Sequence, residues 1–206
     1  MASDIELLQA WRNGDEARGQ QLCMRYFEPV ARFFANKLGA EASDLVQDTF
    51  LALVQGRDRI SDDARFRSYL FGVAYNVLKK HLKQRYRLPE DFESRSVHDI
   101  APGVETMLRE AENLRLLRAA LRRIPLSLQV ALELHYWERL SSSEISHVLG
   151  IPSSTVRTHL GRARTLLEEA LRSEAAAPEV VESTISDLDA WAERLRGKVA
   201  RAAAGS

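Results

Sequence analysis

A single cysteine, Cys23, among 206 residues leaves no internal disulfide and no cysteine-based zinc centre. That excludes the small secreted scaffolds held by bridges. No apolar run approaches the ~18 residues of a membrane-spanning helix, so no membrane insertion is expected. The start, Met1-Ala2-Ser3-Asp4-Ile5-Glu6, lacks the basic-then-apolar pattern of a secretory leader. Only 6 prolines and 10 glycines are present, too few for collagen or other low-complexity fibres. Charge of one sign is not in excess either: 29 Lys and Arg face 29 Asp and Glu. What is there, 45% hydrophobic and 28% charged residues, is the composition of a soluble globular chain. The expectation is a cytoplasmic protein of one medium domain or two small ones.

The zero net charge hides a segregation. Residues 1–56 carry 5 basic and 8 acidic residues, and residues 57–87 carry 9 and 3. Residues 88–113 carry 2 and 7, residues 114–172 carry 9 and 5, and residues 173–206 carry 4 and 6. Two basic blocks separated by an acidic one suggest two surfaces that face a polyanion and a connector that does not. A solvated helix face is the plainer reading of either block taken alone.

Helical periodicity runs through almost the whole chain, and no strand alternation competes with it. Ile5, Leu7, Leu8 and Trp11 begin a short helix ended by Asn13-Gly14. A longer one runs from Asp15 to Leu38 and closes at Gly39, with Pro29 expected to kink or split it. Ser43 is a candidate N-cap for the helix of Leu45, Val46, Phe50, Leu53 and Val54. A fourth helix spans about Arg65 to Arg87. Residues 88–103, punctuated by Pro89, Pro102 and Gly103, read as a linker. Helix resumes near Val104 and runs to Ile124, where Pro125 stops it, and Leu126–Glu138 makes another. Ser141-Ser-Ser-Glu144 is a capping box for the next helix, which ends at Gly150. Ser153 is expected to cap the last strong helix, to about Arg172. The fold class is all-α: two small helical domains joined by a flexible acidic linker, plus a C-terminal amphipathic helix. The domains are placed at 1–87 and 104–172, the linker at 88–103 and the extension at 173–206.

Residues 142–162 carry the sharpest local signal. Ile145, Leu149, Ile151 and Val156 are spaced to pack two short helices across a tight turn. Ser146 is small at their approach, and Gly150 sits where a positive φ is cheap. The second helix presents Ser154, Arg157, Thr158, Gly161 and Arg162 outward, with Arg164 beyond, and has no acid between Ser153 and Leu167. Hydroxyls and arginines at the start of a helix suit phosphate and the major-groove edge of guanine. A helical hairpin with a glycine C-cap is the alternative.

The stretch Leu140-Ser-Ser-Ser-Glu-Ile-Ser-His-Val-Leu-Gly-Ile-Pro-Ser-Ser-Thr-Val-Arg-Thr-His-Leu-Gly-Arg-Ala-Arg164 resembles the −35-reading domain of extracytoplasmic-function (ECF) sigma factors. Asp44-Leu-Val-Gln-Asp-Thr-Phe50 resembles the family's D-L-V-Q-E-T-F. Phe66-Arg-Ser-Tyr-Leu-Phe-Gly-Val-Ala-Tyr-Asn76 resembles its F-x-x-W-L-x-x-I-A-x-N. The motifs stand in the family's order and span about residues 4–172.

The resemblance implies core RNA polymerase as a partner, docked on Asp44, Leu45, Gln47, Asp48 and Phe50. A second partner would be promoter DNA, double-stranded at −35 and melted at −10. The −10 strand falls to Ser61, Asp62, Asp63, Arg65, Phe66, Tyr69, Asn76, Lys79, Lys80 and Lys83, with the loop before the fourth helix capturing a flipped base. The −35 element falls to Ser153, Ser154, Thr155, Arg157, Thr158, Gly161, Arg162 and Arg164. Family members are usually held by an anti-sigma factor, so such a partner is implied too. The plainer reading of Phe66, Tyr69 and Phe71 is core packing, and Val46 and Leu53, with Phe50 as a further candidate, are also expected inside. The departures are Tyr69 for the usual Trp, Gly72 for a long residue, Thr158-His159 for Ser-Arg and Ser142-Ser143 for Tyr-Glu. The −35 preference therefore does not transfer from any relative.

Beyond Arg172, Ala175-Ala-Ala-Pro178 reads as a hinge. Ile185, Leu188, Trp191, Leu195 and Val199 then form an apolar stripe. Such a helix either folds back to regulate the factor or completes the second core. An enzyme is not expected: His81, His98, His135, His147 and His159 lack metal-ligand spacing, no phosphate loop follows a strand, and no cofactor is implied. Cys23 between Leu22 and Met24 reads as a structural thiol. The competing function is a stand-alone helix-turn-helix regulator that binds duplex DNA as a dimer, which leaves the N-terminal motif pair unexplained.

Overall fold

The computed structural model describes residues 2–39, 42–60, 66–101, 112–174, 181, 182 and 188. Its helices are α1 (Asp4–Arg12), α2 (Glu16–Leu38), α3 (Ala42–Gly56), α4 (Phe66–Tyr86), α5 (Val97–Ile100), α6 (Glu112–Arg123), α7 (Leu126–Tyr136), α8 (Ser142–Leu149) and α9 (Ser153–Ser173). Among the described residues there is no strand, only a single bridge between Ser96 and Pro125.

The local signals act as their chemistry requires. Ser141 Oγ accepts from the Glu144 amide at 3.2 Å, and the Glu144 carboxylate accepts from the Ser141 amide at 2.8 Å, closing the capping box of α8. Gly150 adopts φ 69°, and its amide donates to the Ser146 carbonyl at 2.9 Å. The turn therefore needs a residue without Cβ strain.

Three expectations change. Pro29 does not split α2, whose apolar face of Leu22, Tyr26, Val30, Phe33, Phe34 and Leu38 is buried on both sides of it; tertiary packing outweighs one lost amide hydrogen bond. Ser43 is not an N-cap, because α3 already begins at Ala42. Ser153 is the first helical residue of α9 rather than its cap, which is the extended Pro152.

Two hydrophobic cores organise the chain. The first gathers residues of α1 to α4, among them Trp11, Phe34, Leu53, Phe66 and Tyr75. The second gathers Leu117, Leu121 and Ile124 of α6 with Leu128, Leu132 and Tyr136 of α7 and Leu167 and Leu171 of α9. α7 belongs to both: Leu126, Val130, Ala131 and Leu134 turn to the first core. A helix buried on nearly every side reads as apolar all round, and α7 contributes to both cores accordingly.

The segment after α4 is not featureless. Phe92, Val97, Ile100 and Ala101 are buried in the first core. Ser96 Oγ caps α5 by accepting from the Asp99 amide at 3.1 Å. The Leu126 amide donates to the Arg95 carbonyl at 2.9 Å. Residues 102–111, where helix was expected from Val104, lie outside the described residues. In the extension, Val181 and Leu188 are buried in the second core, which favours the core-completing reading at those two positions. The hinge at 175–178, together with Ile185, Trp191, Leu195 and Val199, lies outside the described residues.

Candidate polymerase and DNA interfaces

α2 and α3 leave an apolar groove between them, lined by Phe27, Ala31, Ala35, Val46, Phe50 and Leu51, among others. Small residues at 31 and 35 on α2 and at 42 on α3 keep the floor open, while Phe27 stacks on Phe50 with ring centroids 6.1 Å apart. Phe27 is 51% and Leu51 56% exposed, so both helices of the groove turn a large apolar group to solvent. Val54 is also exposed.

Asp44, Gln47 and Asp48 are exposed on α3, and Phe50 is half-buried. Leu45 is buried in the first core, so it supports this face from beneath instead of forming it. Phe27 and Leu51 were not singled out from the sequence; the signal was an i,i+4 row of Phe27, Ala31 and Ala35 on a helix whose buried row is Tyr26, Val30 and Phe34.

On α4, Phe66 lies fully in the core with its ring 5.4 Å from that of Tyr26, as the packing reading required. Tyr69 is half-buried, its hydroxyl donating to the Gly56 carbonyl at 3.1 Å. A Cβ on Gly56 would stand 2.3 Å from that hydroxyl, so the glycine makes room for it. Asn76 and Lys80 are exposed. Lys79 pairs with Glu93 at 3.2 Å and Lys83 pairs with Glu90. Tyr75 donates to Glu93 at 2.6 Å, and burial, then that contact, pushes its phenol well above the usual range. Ser61, Asp62, Asp63 and Arg65 lie outside the described residues.

α9 presents Ser154, Arg157, Thr158, Gly161, Arg162 and Arg164 to solvent, with Ser153 and Thr155 half-buried and Val156 and Ala163 in the packed face. Gly161 leaves open space where a Cβ would be. Burial, then the neighbouring Arg162, holds the His159 imidazole below its ordinary range. Cys23 packs half-buried against the first core, and burial raises its thiol. No helix among the described residues is long and apolar enough to cross a membrane.

Comparison with known proteins finds two family models along the chain. The family model for Sigma-70 region 2 matches residues 20–88, and that for Sigma-70, region 4, matches residues 114–167. RNA polymerase sigma-H factor of Pseudomonas aeruginosa is 28% identical over 182 residues, covering 82% of this chain and 94% of that protein. ECF RNA polymerase sigma-E factor of Escherichia coli K12 is 25% identical over 177 residues, covering 81% and 93%. Among solved structures, CnrH in complex with the cytosolic domain of CnrY superposes with TM-score 0.58 at 23% identity, covering 82% of this chain and 97% of that one. The sigma factor RpoE in complex with the anti-sigma factor NepR from Bartonella quintana gives TM-score 0.62 at 20% identity, covering 77% and 97%. Region 2 thus holds α4 and most of the groove-forming helices, region 4 holds the helix-turn-helix, and the chain belongs to the extracytoplasmic-function sigma factors, which serve transcription initiation.

Proposed function

We propose that this sigma factor binds core RNA polymerase through the α2–α3 groove together with the exposed Asp44, Gln47 and Asp48 of α3. The observation that carries the reading is a solvent-facing apolar groove with exposed carboxylates on a region 2 helix. A partner helix with apolar and basic side chains would bury the first and neutralise the second. The domains then divide the promoter: 1–87 takes the −10 element, 104–172 the −35 element, and 88–103 connects them. α4, with Asn76 and the lysines at 79, 80 and 83, meets the melted −10 strand together with residues 61–65. α9 reads the −35 major groove with Arg157, Arg162 and Arg164, aided by its hydroxyls. An anti-sigma factor is a third partner, by likeness to the NepR-bound relative.

Size exclusion with purified bacterial core polymerase tests the first claim. The full chain should comigrate, and Asp48→Arg should abolish comigration while leaving helix content unchanged. A full chain that never comigrates, and binds duplex DNA as a dimer, would make the chain a stand-alone helix-turn-helix regulator instead.

On the DNA side, Arg157→Ala and Arg162→Ala should each weaken −35 binding by about 1–3 kcal/mol if the guanidinium reads guanine bidentately. Titration of −35 duplexes against scrambled ones checks this. Equal weakening on both would reduce the two arginines to phosphate contacts, with a matching fall in salt dependence.

A further inference from the structure

Lys37 of α2 is completely buried, an uncommon place for an ordinarily charged amine. Its Nζ donates to Glu133 of α7 at 2.6 Å and to the Phe33 carbonyl at 2.8 Å, and it lies 3.8 Å from the centre of the Phe33 ring. The other oxygen of Glu133 accepts from Gln129 at 2.8 Å. About a turn and a half earlier on α2, Arg32 donates to Glu138 at 2.6 Å, again almost fully buried, with Glu28 4.0 Å away. Burial pulls the Lys37 ammonium below its ordinary range, and Glu133 opposes that pull. Both pairs cross from region 2 to region 4. Around them the first core runs on without a break into Val130 and Leu134 of α7 and Ile145 and Val148 of α8.

This arrangement leaves one DNA surface open and restricts the other. α4 packs against α8, and linker acids Glu90 and Glu93 hold Lys83 and Lys79. The outward row of α9 stays in solvent. Two packing steps, α4 on α8 and α8 on α9, separate the two reading helices by about 20 Å at 8–10 Å per step. The −35 and −10 elements lie roughly 25 base pairs apart by name, about 85 Å at 3.4 Å per step. A body in which the domains touch in this way cannot occupy both elements.

We propose that Lys37–Glu133 and Arg32–Glu138 form an ionic latch that holds the free sigma factor closed and that must open before both promoter elements are engaged. The idea rests on the sigma-factor reading above. The physics favours a switch over a simple brace. In the closed form Lys37 and Glu133 are shut away from water and each is the other's counter-charge, whereas in the open form water solvates both, so the loss of one partner penalises the closed form most. Opening also uncovers the apolar rows of α7 and α8, which gives a large partner a surface to stabilise.

The test is pulsed electron paramagnetic resonance on the full chain in a Cys23→Ser background, labelled at Gln55→Cys and Glu169→Cys, both exposed. The free protein should give one short, narrow distance distribution. Glu133→Lys, which sets two cations face to face, should lower the closed-to-open ratio by about a hundredfold or more and yield long distances. The charge swap Lys37→Glu/Glu133→Lys should restore the short one. Core polymerase added to the wild type should produce the long distances. A reversal variant that keeps helix content but stays short would overturn the latch, as would a free wild type already broad. Should Glu133→Lys fail to fold, failure of the charge swap to recover the short distance would overturn it as well. Comigration with polymerase, measured alongside, separates the two ideas: comigration without lengthening sinks the latch alone, and no comigration sinks the proposed polymerase binding on which it rests.

Discussion

Phe27→Asp is expected to fold like the wild type and to lose core polymerase binding by at least about thirtyfold, the effect of removing a central aromatic anchor worth 2 kcal/mol or more. The side chain is half in solvent and touches the groove, not the core. Its main intramolecular partner is Phe50, stacked at 6.1 Å, and that pair contributes about 0.5–1.5 kcal/mol to stability. A carboxylate at 27 would meet the partner's apolar side chains with no counter-charge, and burying it there is far costlier than leaving it wet. Comigration assays and circular dichroism on the same preparation check both halves. Unimpaired binding by the variant would move the polymerase surface off the groove and onto the acidic face of α3 alone.

Trp11→Ala should have the largest effect on stability, about 3–5 kcal/mol, a fall in melting temperature of roughly 6–20 °C for a chain of this size. The indole is buried, donates to Glu16 at 3.1 Å and lies 5.5 Å beneath the Arg57 guanidinium. Its seat depends on Gly19, where an added Cβ would stand 2.4 Å from two ring atoms. Gly19→Ala therefore displaces the ring and should cost about 1–3 kcal/mol. Both act through the same contact, so the double variant should cost less than the sum. Since α1 is what fixes α2 from the N-terminal side, loosening Trp11 should also weaken polymerase binding through the groove. Thermal unfolding that changes by less than 1 kcal/mol for Trp11→Ala would mean that α1 is dispensable for the first core.

The helix-turn-helix was legible because its signals are local. A capping box, a glycine at positive φ and an acid-free stretch from Ser153 to Leu167 each act locally, so spacing alone places them. The acidic face of α3 was legible in the same way, whereas the burial of Leu45 was not. Leu45 and Phe50 share one amphipathic pattern, and only the position of α4 decides which of them is covered. The sequence of 88–103 reads as a linker because α5, Val97–Ile100, is only four residues long; Phe92, Val97 and Ile100 are buried all the same, against partners that the first core supplies.

The interdomain pairs were hidden for a different reason. Lys37 has the place of an ordinary basic residue in the last turn of α2, where the helix dipole alone would justify it. Glu133 did carry a signal, being the only acid of the apolar run Leu126–Tyr136. A lone carboxylate in a helix that must be buried on all sides demands a cation, although nothing in the sequence says that it comes from 96 residues away.

The central claim is tested most directly by transcription. Core RNA polymerase that lacks any sigma factor is given a random library of DNA fragments, with and without this chain, and the 5′ ends of the transcripts are sequenced. Initiation should depend on the chain and come from sites sharing a two-part motif at fixed spacing, with the upstream part altered by Arg157→Ala or Arg162→Ala. Transcripts whose number and start sites are the same without the chain would contradict promoter-directed initiation by this protein.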